Sequence, residues 1–406
     1  MQQWQKNLYV LWFGTLIAAI SFSFVSPFLP VFLEEMDVGD KLEAWSSALF
    51  SAAFLSSCLL SPVWGSLADR FGRKVMIIRA GIGMGVINVC TAFATTPAQL
   101  LVLRLLNGVV SGFIPSSVAL VATNTPEEHI GVSLGMLKTG SAAGTVIGPL
   151  VGGVLSHYVG VRNTFLAAAA TLWVATAVVI AGVKEVAKPA GRNAKINVIE
   201  DLKVGFSNRS FALLMAFVCL NSAAVVILQP ILTPYIMSMV TGDASLVTGI
   251  VFSLTGIATV LAAPAWSRRG SRIGFRQTLV VSLFLSGIMN LPQLLVCDVV
   301  AFGALRFLYG LVWAGAQVSM EGLTASTVDR EFRGRAFGIS QSFTQLGSVI
   351  GPMVGGFAST EFGTRSVFGI TGVSLLALSL GAKMLLKETA DLSAPREAHR
   401  LGALGG

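Results

Sequence analysis

Long runs of apolar residues, separated by short polar stretches, recur along the whole chain. A hydrocarbon core about 30 Å thick is crossed by about 20 residues of helix, so each run predicts one membrane-spanning helix. Twelve are predicted. Helices 1 to 6 cover 8–33, 45–67, 75–94, 98–122, 131–156 and 163–183. Helices 7 to 12 cover 210–238, 245–266, 277–296, 299–324, 334–359 and 366–386. Most connections are short; the longest polar stretch runs from Lys184 to Arg209 and divides the helices into two sets of six. The expected domains are a six-helix bundle over 1–183, a linker over 184–209, a second bundle over 210–390 and a tail over 391–406. The first apolar run is too long for a signal-peptide core and no small-residue cleavage site follows it, so it is expected to be retained.

Composition supports this reading. Of 406 residues, 54% are hydrophobic and 12% charged, and the mean hydropathy is +0.76. A soluble domain carries about 25% charge, so an ordinary soluble enzyme, a disordered chain and a nucleic-acid binder are excluded. The 43 glycines fit close helix packing in lipid. Cys58, Cys90, Cys219 and Cys297 lie in or beside apolar stretches without a CxxC pair, so they read as small buried residues. His129, His157 and His399 are far apart, and no metal site is expected. There is no Walker loop, so ATP does not drive this protein directly.

The net charge of +8 matters through its distribution. On one side lie the N-terminus, the regions 68–79, 184–209, 268–276 and 330–335, and the tail; together they hold 22 of the 28 Lys and Arg. The other side holds Lys41, Arg162 and Arg365. Short loops rich in Lys and Arg stay in the cytoplasm, so both termini and the linker are expected there.

The two halves repeat at an offset of 202–203 residues. LRLLNG at 103–108 aligns with LRFLYG at 305–310, and GPLVGG at 148–153 with GPMVGG at 351–356. Gly160 and Arg162 align with Gly363 and Arg365, and Pro27 and Pro30 are echoed by Pro230 and Pro234. The fold class expected is therefore all-α and polytopic, with twelve helices in two pseudo-symmetric bundles. Parallel repeats of this kind place a substrate site between the halves near the bilayer midplane.

Three motifs carry candidate roles. The first, GSLADRFGRK, runs from Gly65 to Lys74 after helix 2 and includes Asp69, Arg70, Gly72 and Arg73. It reads as a tight loop whose lone acid, Asp69, could face the positive N-terminus of helix 11 near Gly334 and latch the cytoplasmic side. The alternative is a solvated turn whose charges only set topology. The second copy has Ser271 where Asp69 would be, so the latch is one-sided. In the second motif, helix 5 carries Gly135, Gly144, Gly148, Pro149, Gly152 and Gly153. Helix 11 repeats it as Gly338, Gly347, Gly351, Pro352, Gly355 and Gly356. Proline bends a helix and glycines admit a close neighbour, which suits a surface on which two halves rock; ordinary tight packing is the alternative. The third is the charge inside the spans: Arg104, Lys138, Arg306 and Glu321. Such groups are costly in lipid and functional by default. Arg306 can also snorkel to the outer surface, and Glu321 can pair with a loop arginine such as Arg330 or Arg333. On helix 10, Arg306, Gly310, Trp313, Gln317 and Glu321 share one face. Helix 11 offers Gln341, Gln345 and Ser348. These are candidate cavity-lining positions.

The GxLADRxGRK loop, the LRxxxG element and the doubled glycine-proline pattern resemble the major facilitator superfamily over essentially all twelve helices. The glycine-proline pattern is similar to that of its drug:proton antiporters. SPFLPVF at 26–32, SPVWGSLADRFGRK at 61–74 and RAGIGMG at 79–85 resemble bacterial multidrug exporters of that family. The resemblance implies proton-coupled efflux of drug-like molecules from a bacterial cytoplasmic membrane, with transport roles for Asp69 and Arg104. The expected partners are a small-molecule substrate, protons and membrane lipid, with no nucleic acid. A monomer and no bound cofactor are expected. A nutrient uptake carrier and a lipid or glycolipid translocator are the alternatives on this fold. Many relatives carry an acid in mid helix 1; residues 8–33 contain none, so the proton carrier is expected elsewhere, with Glu321 the candidate.

Overall fold

In this computed structural model, residues 2–185, 205–328 and 333–386 are described. They form twelve helical rods, numbered as above: Gln3–Glu34, Leu42–Phe71, Arg73–Ala92, Pro97–Asn124, Ile130–Val159 and Val161–Gly182, then Arg209–Met237, Ser245–Ile273, Phe275–Leu294, Val299–Ser326, Arg333–Phe362 and Ser366–Leu385. Among the described residues, eleven are long and apolar enough to cross a membrane. The other, helix 11, has the length, but Gln341, Ser342, Thr344, Gln345 and Ser348 lower its hydropathy. The tail 391–406 and most of the expected linker lie outside the described residues.

The rods alternate in direction. The end carrying Gln3 and the turns at Gly72 and Gly274 is called here the basic end. Gly72, Gly160 and Gly274 each join two successive helices as a single residue at φ of +98°, +83° and +91°, and Gly363, at +81°, opens the three-residue turn between helices 11 and 12. Only glycine enters that region at no steric cost.

Two buried apolar clusters hold residues 8–183 together, and two others hold 211–386. Inside each half, glycines let helices touch. A Cβ on Gly108 would strike Ser56 and Ala53 of helix 2, and one on Gly310 would strike Thr255 and Ala258 of helix 8. Trp64 Nε1 donates to the Val109 carbonyl, and its repeat-mate Trp266 donates to the Leu311 carbonyl, both at 2.7 Å.

Helices 1, 4 and 7 are broken, where continuous rods were expected. Helix 1 tightens to a 3₁₀ turn at Ser26–Phe28, and Thr233 Oγ1 of helix 7 donates to the Pro27 carbonyl at 2.8 Å. Helix 4 breaks at Ser111 and Gly112, with Gly112 at φ +125°. Pro115 has no amide proton to give the Ser111 carbonyl; Arg79 Nη2 supplies that bond at 2.8 Å. The Arg79 guanidinium also stacks 3.5 Å over the Trp64 ring.

The halves meet chiefly away from the basic end. Helix 2 meets helix 11 through Ser51 Oγ to the Val349 carbonyl and Thr364 Oγ1 to Glu43 Oε1, at 3.2 Å each. Helix 5 meets helix 8 through Ser253 Oγ to the Val146 carbonyl at 2.8 Å and Ser156 Oγ to Ser245 Oγ at 3.1 Å.

Candidate functional site

Between the halves lies a cavity of about 660 Å³, reaching from Leu29 and Gln229 to Gly338 and Arg73 at the basic end. Its walls are apolar and aromatic, from Phe22, Phe50, Phe54, Phe113 and Trp64, with amides from Asn88, Asn107, Gln341 and Gln345. The large apolar area suits an amphipathic organic molecule, and the few amides fix its orientation. Gln345 Nε2 reaches Ser57 Oγ at 3.4 Å, spanning the two halves within the cavity wall.

Arg104 lines this cavity. Among the described residues it makes no ion pair or hydrogen bond, and its Nη2 is buried without a partner. Its repeat-mate Arg306 behaves differently. Only 8% exposed, it lies within the second half, 5.1 Å over the Tyr309 ring, with Nε unpartnered. Neither the snorkelling nor the cavity role expected for Arg306 is realised. Helix 9 also buries Asn290 and Gln293 in this half, but their side-chain oxygens, like Arg306 Nε, have no hydrogen-bond partner, so neither amide binds the guanidinium.

The polar face read on helix 10 is also divided. Gly310 packs on helix 8. Trp313 stacks 6.0 Å from Tyr309 in the second half's core. Gln317 is exposed but does not line the cavity. Glu321 reaches across to the first half, where its Oε1 lies 3.0 Å from Lys138 Nζ. Lys138 also sits 5.9 Å from the Phe337 ring. The side chains of Lys138 and Glu321 are 61% and 54% exposed, so the dry surroundings expected for Glu321 are absent. The pairing partners considered earlier, Arg330 and Arg333, lie outside the described residues, Arg333 by its side chain.

The glycine-proline motif serves two surfaces. A Cβ on Gly144 would lie 2.5 Å from Ala19 Cβ, on Gly148 2.5 Å from Ser23 Cβ, and on Gly152 2.6 Å from Phe24 Cβ. All three partners are on helix 1, within the same half. Gly347, Gly351 and Gly355 likewise pack on helix 7 through Cys219, Ala223 and Ile227. Only the last glycine of each copy faces the other half: Gly153 against Ser245 and Gly249, Gly356 against Ser47. Pro149 and Pro352 are buried beside them, and the Pro149 carbonyl meets Gly249. Gly135 and Gly338 have open space where a Cβ would be. The motif as a whole is therefore not an interface between the halves. Its i, i+4 members form a stripe for a neighbouring helix, and the residue after the stripe is turned about 100° away.

The motif from Gly65 to Lys74 is not a loop. Helix 2 continues through Arg70 to Phe71, and only Gly72 turns. Gly65 has nothing within 4 Å of a Cβ, so the turn does not need it. The Asp69 side chain lies outside the described residues. What the structure shows instead is Glu185, just past helix 6, capping helix 3. Its Oε1 accepts from Arg73 N at 2.8 Å and its Oε2 from Lys74 N at 3.1 Å. A carboxylate at a helix N-terminus satisfies free amides and meets the positive end of the dipole. Lys74 Nζ returns the contact, donating to the Ile180 and Val183 carbonyls at 2.8 and 2.7 Å. Glu185→Ala is expected to cost about 0.5–2 kcal/mol, the usual range for a lost cap. Thermal unfolding in detergent would show it as a lowered Tm; an unchanged Tm would remove the capping role.

Sequence reasoning missed Asn88, Asn107, Gln229 and Glu185. Asn88 and Asn107 carried a signal, an amide inside an otherwise apolar span. Asn107 also follows Arg104 by three residues, on the same helix face. Glu185 carried none, since its role depends on where helix 6 ends in space.

A family model described as Major Facilitator Superfamily matches residues 11–242 and 214–403. The chain is 36% identical over 373 residues to "Multidrug resistance protein MdtG" of Proteus mirabilis, covering 91% of this chain and 92% of that one. It is 35% identical over 381 residues to the protein of the same name in Yersinia enterocolitica, covering 92% and 91%. Among solved structures, the nucleoside transporter NupG superposes with a TM-score of 0.77 at 15% identity, over 93% of this chain and all of that one. The peptide transporter POT gives 0.76 at 15% identity over 93% and 94%. At that identity the likeness is one of fold.

Proposed function

The chain belongs to the major facilitator superfamily, and from that premise we propose that it exports drug-like, amphipathic small molecules in exchange for protons by alternating access. The observation that carries the reading is the aromatic cavity between the halves, bounded by Arg73 and Gly338 at the basic end. The Lys and Arg count supports placing that end in the cytoplasm. In a bacterial cytoplasmic membrane the conformation described here is then the one that takes substrate from inside. The name of these relatives, multidrug resistance protein, supports efflux rather than uptake. Cells overproducing the protein are expected to survive higher concentrations of several unrelated amphipathic drugs, and a protonophore is expected to remove the advantage. Unchanged resistance in the presence of the protonophore would exclude proton coupling.

Lys138 and Glu321 join helix 5 of the first half to helix 10 of the second. With both side chains more than half exposed, water screens the pair, so it contributes about 0.2–1 kcal/mol. That biases the spacing of helices 5 and 10 without locking it. A neutral side chain at position 321 removes the attraction. Glu321→Gln is expected to lower drug-induced proton release from detergent-solubilised protein and to lose pH-gradient-driven export while downhill exchange continues. Undiminished proton release would move the coupling to another acid.

A further inference from the structure

A second titratable contact joins the halves at the opposite end. His157, near the end of helix 5, has Nδ1 2.7 Å from Asp243 Oδ2, in the connection leading into helix 8. Asp243 is held from both sides, because its Oδ1 accepts from Ser245 N at 2.8 Å. Beneath this pair the halves are in close contact: a Cβ on Gly153 would lie 2.9 Å from the Ser245 carbonyl oxygen and 3.1 Å from Gly249 Cα. The two side chains are each 42% exposed, so protons from water reach them.

We propose that His157 and Asp243 form a proton-binding clasp, in which a proton taken up by the imidazole from the side opposite the basic end stabilises the closed state of that end. With a neutral ring the contact is an ordinary hydrogen bond. With a protonated ring it is a charge-assisted one, roughly twice as strong. The proton comes from water and rests on the ring. Imidazole changes charge between about pH 5 and pH 8, and the carboxylate stays ionised over that range. Burial pushes the Asp243 carboxyl up, but hydrogen bonds from Ser245 and His157 outweigh it and hold the group below its ordinary value. A depressed carboxyl keeps its contribution above its ordinary value and loses it only as pH falls through the lowered one. The clasp therefore responds through the histidine: its extra stabilisation is present at acid pH and fades as pH rises. The other charged or titratable groups at this end, on elements packed against helix 5, are Glu34 and Glu35 of helix 1, Arg162 of helix 6 and Tyr158. Glu35 and Arg162 lie 3.8 Å apart. Tyr158 meets the His157 ring edge-on at 5.0 Å. Among the described residues, Asp243 is the carboxylate within hydrogen-bond distance of the imidazole.

This inference rests on the alternating-access reading, and the test separates the two. Spin labels at Asn163 and Phe362, exposed positions on opposite halves at this end, report its opening in the full chain with the four native cysteines replaced. Between about pH 8 and pH 5.5 the closed-to-open ratio of the otherwise unaltered protein is expected to rise about 1.5- to fivefold, the range of a half-exposed pair. His157→Gln and Asp243→Asn are expected to abolish that response. A full response in His157→Gln, or none with His157 and Asp243 intact, overturns the clasp. Drug export by the same preparation decides the underlying reading: export with an unaltered pH response removes the clasp alone, and no export removes both.

Discussion

Gly153→Leu is expected to leave the protein folded but stop transport, whereas Gly148→Leu, five residues earlier on the same helix, is expected to lose the folded protein. A leucine at Gly148 enters the helix 1 surface at Ser23, Ile20 and Phe24, which stays in contact throughout the cycle because both helices belong to one half. Overpacking of that kind costs about 1–3 kcal/mol or more, and folded yield falls several-fold. A leucine at Gly153 meets Ser245 and Gly249 of the other half, and only while the opposite end is closed. The same cost then falls on one conformation and shifts the equilibrium about 5- to 150-fold toward the state open at that end. Fluorescence-detected size exclusion gives the yield, and the distance between spin labels at Asn163 and Phe362 gives the opening. Equal loss of yield in the two variants would contradict the division of the motif into two surfaces.

Arg104→Leu is expected to abolish export without lowering Tm. Arg104 is a cation with no partner among the described residues, on the wall of an aromatic cavity. An unpaired charge in such a place lowers stability, so its persistence points to use rather than structure. Loss of a charge-assisted contact worth about 1.5–3 kcal/mol reduces transport at least about tenfold. Removing an unpaired charge leaves Tm unchanged or raises it, the pattern of a functional residue maintained against stability. Arg104→Lys keeps the charge and loses the planar fork, so partial recovery would assign the role to charge and none to geometry. A sharp fall in Tm in Arg104→Leu would mean that the arginine holds the helices together instead.

The helix count, the alternation of the rods and the repeat were legible in the sequence because they depend on one-dimensional facts: the number and length of the apolar runs and an offset near 202. The partners of the motifs were less so. A glycine stripe states that something comes close, not what does. The spacing nevertheless held the answer in part, since Gly144, Gly148 and Gly152 share a face that Gly153 leaves. Arg104 and Arg306 are equivalent in sequence, yet one lines the cavity and the other is buried within the second half over the Tyr309 ring, a difference set by packing that the repeat does not carry. Lys138 and Glu321 were each legible as intramembrane charges, and their opposite signs made a pair plausible. The 3.0 Å contact requires helices 5 and 10 to converge at the basic end, which only the packing of the two halves determines. The break in helix 4 was signalled by Gly112 and Pro115, but the Arg79 guanidinium that satisfies the freed carbonyl comes from another helix.

The central claim is exchange of drug for protons through the cavity open at the basic end. It is tested most directly by drug accumulation in liposomes containing the purified protein under an imposed pH gradient. With an acid lumen, molecules whose basic end faces outward are expected to concentrate drug inside, and dissipating the gradient with a protonophore is expected to release it. Accumulation that is equal with and without the gradient, or that requires an alkaline lumen, would contradict the account.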